Sequence, residues 1–424
     1  MTRNTANVLV GEGWRDSIEA LVRDRIRGLI EEILEEELCE ALGRERYARR
    51  ITESGAAVDI SHRLGEEVRA SAALVKGHRN GRREREVMGT FGQVTIAVPR
   101  ARLEREDGRT FEWKSKTLPA YRRRTKEVEA LIAGSYLSGT NTRRVGRALA
   151  SVFRRGGVSK DTVSRAWRKI KTDWEAWNKR ALGSLDIVRL ILDGTVVRVR
   201  LDRKSTAISL LVVLGVRRDG QKVLLAVRNM GGESEAAWRA LLDDLIARGL
   251  NKPELAIVDG AQGLESALIS LWSDLPIQRC TVHKLRNLTA HAPKRLAEEI
   301  KADFNDMIYA ATATAVATRR KAFLRKWRLK CRAVANSLEE AGDLLFTFTR
   351  LPPSQWKSAR TTNAIERLHE EFKRRIKTQT LLPSAETAAM LFWGLLASGQ
   401  ITLRKVDGWR TLDRQLAQPI DLAA

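Results

Sequence analysis

Residues 187–200 read Ile187-Val188-Arg189-Leu190-Ile191-Leu192-Asp193-Gly194-Thr195-Val196-Val197-Arg198-Val199-Arg200. Aliphatic side chains dominate, and Val197 and Val199 alternate with Arg198 and Arg200, which is the period of a β-strand. A single acid, Asp193, sits in or at the end of the apolar run. Further strands are predicted over Ala207–Val216 and Lys222–Val227. Ser234 then suits the cap of a helix carrying Ala237, Trp238, Leu241, Leu242, Leu245 and Ile246, closed by Gly249. Leu255-Ala256-Ile257-Val258 is a short buried strand ending in Asp259. A helix near 264–271 and a strand near Ile277–Val282 follow.

The order is three strands, helix, strand, helix, strand. A doubly wound fold would alternate strand and helix from the start, whereas a ribonuclease-H-like mixed sheet places three antiparallel strands before parallel ones flanked by helices. Residues 284–357 read as wholly helical and interrupt this sheet domain. A helix opening near Glu366 completes it. The fold class expected is α/β with added α, divided as follows along the chain. Residues 1–70 form an N-terminal helical region, 71–120 a small strand-containing linker and 121–183 a helix-turn-helix region. Residues 184–283 are the first part of the core, 284–357 the helical insertion, and 358–424 the final helices and tail.

The chain has 424 residues, 43% hydrophobic and 30% charged, enough for two to four domains. Its formal net charge is +24 and its pI about 10.5, a balance that attracts polyanions, nucleic acid above all. The charge is uneven. Residues 1–50 hold 9 Arg/Lys against 11 Asp/Glu, and residues 121–170 hold 13 against 3. Nucleic-acid affinity is expected in the second stretch.

Residues 14–43 carry Ile18, Leu21, Val22, Ile26, Leu29, Ile30, Ile33, Leu34 and Leu38 at helical spacing, with Glu36, Glu37 and Glu40 breaking any strict heptad. This predicts a helix packing on its own chain or on a second copy. From 71 to 120 one strand pattern stands out, Gln93 to Pro99. Thr142–Leu149 and Val158–Trp167 then form two short helices about a glycine pair, the second opened by Ser159, which suggests a helix-turn-helix. Its candidate DNA contacts are Arg143, Arg144, Ser159, Lys160, Thr162, Ser164 and Arg165.

Cys39, Cys280 and Cys331 are too scattered for a disulfide framework, and the N-terminus lacks the apolar segment of a signal peptide. A reducing, cytoplasmic setting is expected. The uncharged stretch Thr387–Leu403 is short for a membrane span and reads as a buried helix, so no membrane partner is expected.

Arg360-Thr361-Thr362-Asn363-Ala364-Ile365-Glu366-Arg367 places one acid at the start of a basic helix continuing to Phe372-Lys373-Arg374-Arg375. Oxygen-ligated magnesium cutting a phosphodiester needs carboxylates on rigid elements holding two ions a few ångströms apart. Asp193 and Asp259 meet at one sheet edge if their strands are neighbours, and Glu366 arrives from the last helix. Each has a structural alternative: Asp193-Gly194 and Asp259-Gly260 are turn dipeptides, and Asn363 with Glu366 is nearly a capping box. Asp186 and Glu370 are competing acids, while Asp243 and Asp244 fall on a solvated helix face. Cys280-Thr281-Val282-His283 has half a zinc site's spacing with no second pair, and His283 follows a strand beside the site. There is no Gly-x-x-x-x-Gly-Lys loop, so nucleotide hydrolysis is not expected.

These blocks resemble the Mutator-type transposases of bacterial insertion sequences. The resemblance is carried by His78-Arg79-Asn80-Gly81, Val98-Pro99-Arg100, Gly139 with Thr142-Arg143-Arg144, Val158-Ser159 and Thr162-Val163-Ser164. It continues through Leu192-Asp193-Gly194-Thr195, Gly232-Glu233-Ser234-Glu235 with Trp238, Asp244-Leu245 with Arg248-Gly249-Leu250, and Val258-Asp259-Gly260. It ends on Gln278–His283, Arg286-Asn287 and Thr361–Glu366. It implies a metal-binding catalytic triad of Asp193, Asp259 and Glu366 and a DNA-binding region that recognises terminal inverted repeats. It also implies that Cys280 and His283 form the family's Cys-x-x-His signature. Family members usually have Asn at the position of His369 and a glycine within 201–205, and neither departure falls on the triad. The expected activity is cleavage at the element's end followed by strand transfer into target DNA, with two magnesium ions (manganese as substitute) and at least a dimer on DNA. Arg367, Lys373, Arg374 and Arg375 are candidates to hold phosphate. A non-catalytic DNA-binding derivative, or a ribonuclease-H-like nuclease or resolvase without strand transfer, are the alternatives.

Overall fold

The computed structural model describes residues 17–43, 77–104, 108–137, 142–149, 158–201, 204–376, 384–414 and 416–418. The chain divides into two compact units, Met1–Ser135 with Thr142–Ala166, and Tyr136–Asn141 with Trp167–Ala424.

The first unit contains helix α1 (Ser17–Leu42) and an antiparallel sheet ordered β1 (Gly77–Gly89), β2 (Gly92–Glu104), β3 (Thr110–Glu112). The sequence marks only one of these strands, because Arg and Glu fill β1 and leave no apolar alternation to read. Backbone pairing with β2 holds it, from Gly89↔Gly92 to Gly77↔Leu103. Helix α1 packs on its own chain: Leu34 joins Val87, Val94 and Ile96, while Leu38 and Leu42 join Ala101 and Leu103. Glu37, one of the acids that break a heptad, accepts the Ser115 hydroxyl at 2.6 Å, and Glu31 accepts the Ala97 N–H at 2.8 Å. Ile18, Leu21 and Leu29 stay exposed, so the packed half is the C-terminal one.

Helices α2 (Lys126–Leu137), α3 (Thr142–Ala148) and α4 (Lys160–Lys179) follow. The second helix of the expected helix-turn-helix is therefore not short but runs for 20 residues. Residues 150–157 between the two, and the side chains of Arg143 and Lys160, lie outside the described residues.

The second unit is built on a five-stranded mixed sheet of β4 (Ile187–Leu201), β5 (Lys204–Arg217), β6 (Lys222–Asn229), β7 (Leu255–Val258) and β8 (Ile277–Arg279). Its spatial order is β6-β5-β4-β7-β8. The first three pair antiparallel; β7 and β8 pair parallel. Helices α5 (Glu235–Ala247) and α6 (Gln262–Leu271) supply the connections that parallel pairing requires. Both faces are covered over 187–193, 210–216 and β7, which is why those stretches read as apolar runs, whereas beyond Asp193 one face of β4 opens to solvent at Val196 and Arg198 and the pattern alternates. Leu190, Leu192, Leu211 and Val213 pack against α5 and α6, and Ile191, Val212, Leu214 and Ile257 face the opposite core.

That opposite core is closed by α7 (Thr281–Ala290), α8 (Ala297–Ile308), α9 (Ala313–Lys330), α10 (Arg332–Ala341), α11 (Pro353–Ala359), α12 (Asn363–Ile376) and α13 (Ala385–Ala397). Residues 284–357 hold only helical elements. Strand β8 stops at Arg279, so His283 lies in the first turn of a helix rather than after a strand reaching Val282. Helix α13 is buried from Thr387 to Leu395. Among the described residues no helix is long and apolar enough to cross a membrane.

Candidate active site

Asp193 lies inside β4, paired with Val212 of β5, so the Asp193-Gly194 dipeptide does not close a hairpin. The parallel ladder between β4 and β7 runs from Arg189↔Leu255 to Ile191↔Ile257. Continued two residues, it brings Asp193 beside Asp259. Strand alternation turns both toward the face of Ile191 and Ile257, where Ile365, Leu368 and Phe372 of α12 pack. Asp259 ends its strand: its carboxylate accepts the Ala261 N–H at 2.9 Å, and Gly260 at φ +97° turns the chain toward α6.

A fourth acid joins them. Any side-chain carbon at Gly194 would collide with the Glu233 carboxylate, so the glycine makes room for that group within the ladder. Burial, and then the charge of Asp259, push the Glu233 carboxyl up. Asp193 is 4% exposed, and its carboxyl is pushed up to about 8 by burial first and then by Asp259, with Glu366 and Glu233 adding to this and His283 opposing it. Glu233 was visible in sequence only as part of a Gly-Glu-Ser-Glu block beside a helix cap. Nothing in that spacing says that the residue points back across the sheet.

Glu366 comes from the first turn of α12. Its N–H donates to the Thr362 carbonyl at 3.1 Å, and Asn363 is already helical, so its carboxylate faces outward from the helix rather than back to a cap. One carboxylate oxygen lies 3.4 Å from His283 Nε2 and the other 3.4 Å from Arg286 Nη2. The oxygen near His283 is buried and makes no hydrogen bond, the contact being an ion-pair approach only.

Cys280 and His283 are locked to the segment that precedes Glu366. The Thr281 N–H and hydroxyl donate to the Arg360 carbonyl at 2.9 and 3.1 Å, and the Thr362 N–H donates to Cys280 Sγ at 3.4 Å. Two sequence blocks some eighty positions apart are therefore one structural joint. His283 is held up at about 9, chiefly by its bond to Cys280 against the effect of burial, then by the charges of Cys280, Glu366 and Asp193. Burial raises the Cys280 thiol, but the bonds from His283 and Thr362 outweigh it and the net shift is downward.

His369, a departure from the family pattern in sequence, touches Asp193 in space. Its Nδ1 lies 3.4 Å from an Asp193 carboxylate oxygen, and its ring meets Phe392 edge-on at 6.0 Å. Burial, with Lys373 adding to it, pushes this imidazole down to about 3, so it is neutral.

The donor set fits hard divalent cations. Asp193, Asp259, Glu366 and Glu233 offer oxygen alone, and the repulsion that the other half-buried carboxylates exert on buried Asp193 is what an oxygen-ligated cation neutralises. Among the described residues, the one set of three His, Cys, Asp or Glu side chains with ligand atoms all within 4.8 Å is Cys280, His283 and Glu366. A cleft of about 570 Å³ opens at Glu366, with Arg367, Lys222 and Lys405 among its walls. Lys373 is exposed, whereas Arg374 and Arg375 pair with Glu371 on their own helix, Arg374 at 2.8 Å. Asp186 is tied to Arg218 at 3.1 Å, away from the acids.

The remaining sequence candidates belong to the first unit. Ser159 accepts the Thr162 N–H at 3.2 Å and so caps α4, and Thr162 itself is buried. Arg144 and Arg165 are exposed and Ser164 half-buried.

Residues 50–401 match the model of the family described as Transposase, Mutator family. The chain belongs to that family. It is 27% identical over 386 residues to the transposase for insertion sequence element IS905 of Lactococcus lactis subsp. lactis (strain IL1403), covering 91% of this chain and 90% of the relative. With the transposase for IS256 in transposon Tn4001 of Staphylococcus aureus it shares 28% over 327 residues, 76% of this chain and 80% of the relative. With the transposase for IS6120 of Mycolicibacterium smegmatis it shares 32% over 256 residues, 60% and 78% respectively. As a Mutator-family transposase the chain acts on DNA, in keeping with its +24 charge.

Proposed function

We propose that this transposase cleaves the ends of an insertion sequence and joins them to target DNA through Asp193, Asp259 and Glu366, on a ribonuclease-H-like sheet. The observation that carries the reading is the parallel register that sets Asp193 beside Asp259 on the face where α12 delivers Glu366. Those carboxylates would hold two magnesium or manganese ions, which supply an activated attacking oxygen and a stabilised leaving oxygen. Water first breaks a phosphodiester at the element's end and leaves a 3′-hydroxyl; that hydroxyl then displaces the 3′-oxygen of a target phosphodiester, with no net loss of phosphoester bonds in the second step.

The protein's own groups position and neutralise. His283 and Arg286 steady the Glu366 carboxylate from one side, and His369 abuts Asp193 from the other. Glu233, whose carboxyl feels the charge of Asp259, serves as an additional ligand in this reading. Arg367, Lys373, Lys222 and Lys405 offer positive charge to the DNA backbone near Glu366. Arg143, Arg144, Lys160, Ser164 and Arg165 on the α3–α4 pair, a helix-turn-helix in this reading, engage the terminal repeats, and bringing two ends together calls for at least a dimer on DNA.

Asp193→Asn, Asp259→Asn and Glu366→Gln should each reduce magnesium-dependent nicking of end DNA by at least a thousandfold while binding stays within a fewfold of wild type. Full nicking by any one variant would remove that residue from the site. Nicked products without joined ones from the wild-type protein would favour a nuclease over a transposase mechanism.

A further inference from the structure

The first unit carries a cleft that none of this chemistry uses. About 410 Å³ in volume, it lies between the sheet strands and the loop 118–123. Arg83, Arg85, Lys114 and Arg123 line it, with Trp113 and Tyr121, while Arg100 there is tied to Glu112 at 2.9 Å. Glu84 and Glu86 are the other acids present. Among the described residues no ion pair engages Arg83, Lys114 or Arg123. Burial pushes the Arg85 guanidinium down, and Arg83 and Arg123 add to this, so the cations crowd one another.

Tyr121 stands out most. It is 96% exposed, and at φ +68° it holds a left-handed conformation that a non-glycine residue adopts only at a cost. Its loop is fixed from beneath. Arg85 donates to the carbonyls of Leu118, Pro119 and Arg122 at 3.4, 3.2 and 2.8 Å. The Met88 N–H donates to Arg123 O at 2.9 Å, and the Thr125 N–H to Met88 O at 3.0 Å. An aromatic ring presented bare to solvent on a strained loop whose backbone is anchored offers an open face for stacking, and strain of this kind concentrates at binding sites.

We infer that this cleft binds DNA at an unpaired nucleotide, whose base stacks on Tyr121 while Arg83 and Arg123 hold the flanking phosphates. A ring can take a base only where its face is uncovered, which paired, stacked DNA does not offer; cations beside an aromatic are the usual pattern of single-strand binding. The inference rests on the DNA-transposase reading for the identity of the polyanion, and adds the strand state and the surface.

The test uses the full chain and two probes of one arbitrary sequence, a single strand and its duplex, read by fluorescence anisotropy. Tyr121→Ala should weaken single-strand binding roughly tenfold and leave duplex binding within twofold, while Tyr121→Phe keeps the wild-type affinity for both. Arg83→Ala with Arg123→Ala should weaken both probes and lower the single-strand salt slope by about one and a half. Unchanged single-strand binding by Tyr121→Ala, or equal losses on both probes, would overturn the inference. If the wild type nicks end DNA and either result appears, the cleft assignment alone fails. If the wild type binds neither probe, the DNA-transposase reading fails with it.

Discussion

Asp193 is a buried carboxylate surrounded by other carboxylates, and this has a cost that shows in the absence of metal. Its carboxyl is pushed up to about 8, by burial and then by Asp259, from an ordinary value of about 4. Between those values the folded chain keeps a proton that the unfolded chain has released, so the residue's contribution to stability falls as pH rises through the interval. His283, raised to about 9, acts with the same sign at higher pH. In a chelator, Asp193→Asn should therefore melt higher than wild type at pH 8, with the gap closing toward pH 5. Added magnesium should stabilise the wild type and not the variant. A wild type at least as stable as the variant at pH 8 in chelator would remove the repulsion argument.

Elements set the angles at which these groups arrive. Helix α5 is capped by Ser234, whose hydroxyl accepts the Ala237 N–H at 3.3 Å, and Glu233 is the residue just before that cap. Ser234→Ala should cost about 1 kcal/mol in denaturant unfolding, the usual loss for an N-cap. It should also reduce nicking more than that stability loss explains, because the cap orients Glu233 toward Gly194. Unchanged nicking would make Glu233 a bystander. Helix α12 was readable as basic and opened by an acid; the capping-box alternative for Asn363 and Glu366 is not favoured, since Asn363 already lies within the helix.

Across the whole molecule the governing quantity is charge. With a net charge of +24, concentrated in stretches such as residues 121–170, binding to DNA should be dominated by counterion release. Affinity for end DNA should fall by roughly a thousandfold between about 50 and about 200 mM salt, and a salt-insensitive affinity would contradict phosphate contact as its main source.

Much of the sheet domain was legible because its strands are buried on both faces through their central stretches and appear there as apolar runs, and because parallel β7 and β8 require the helices that separate them. Asp193 and Asp259 were legible as candidates because they interrupt or end such runs. Strand β1 was not, since an edge strand full of Arg and Glu owes its existence to the partner it pairs with. Glu233 and His369 were not recognised as site residues either. Their proximity to Asp193 depends on a glycine gap in one strand and on the packing of α12 against that strand, contacts between residues that local periodicity does not relate. Sequence by itself determined the strand order, the candidate triad and the family. Only tertiary structure decided that the Cys280–His283 block and the Thr361–Glu366 block form one joint, because the hydrogen bonds that join them span about eighty residues and leave no periodic trace.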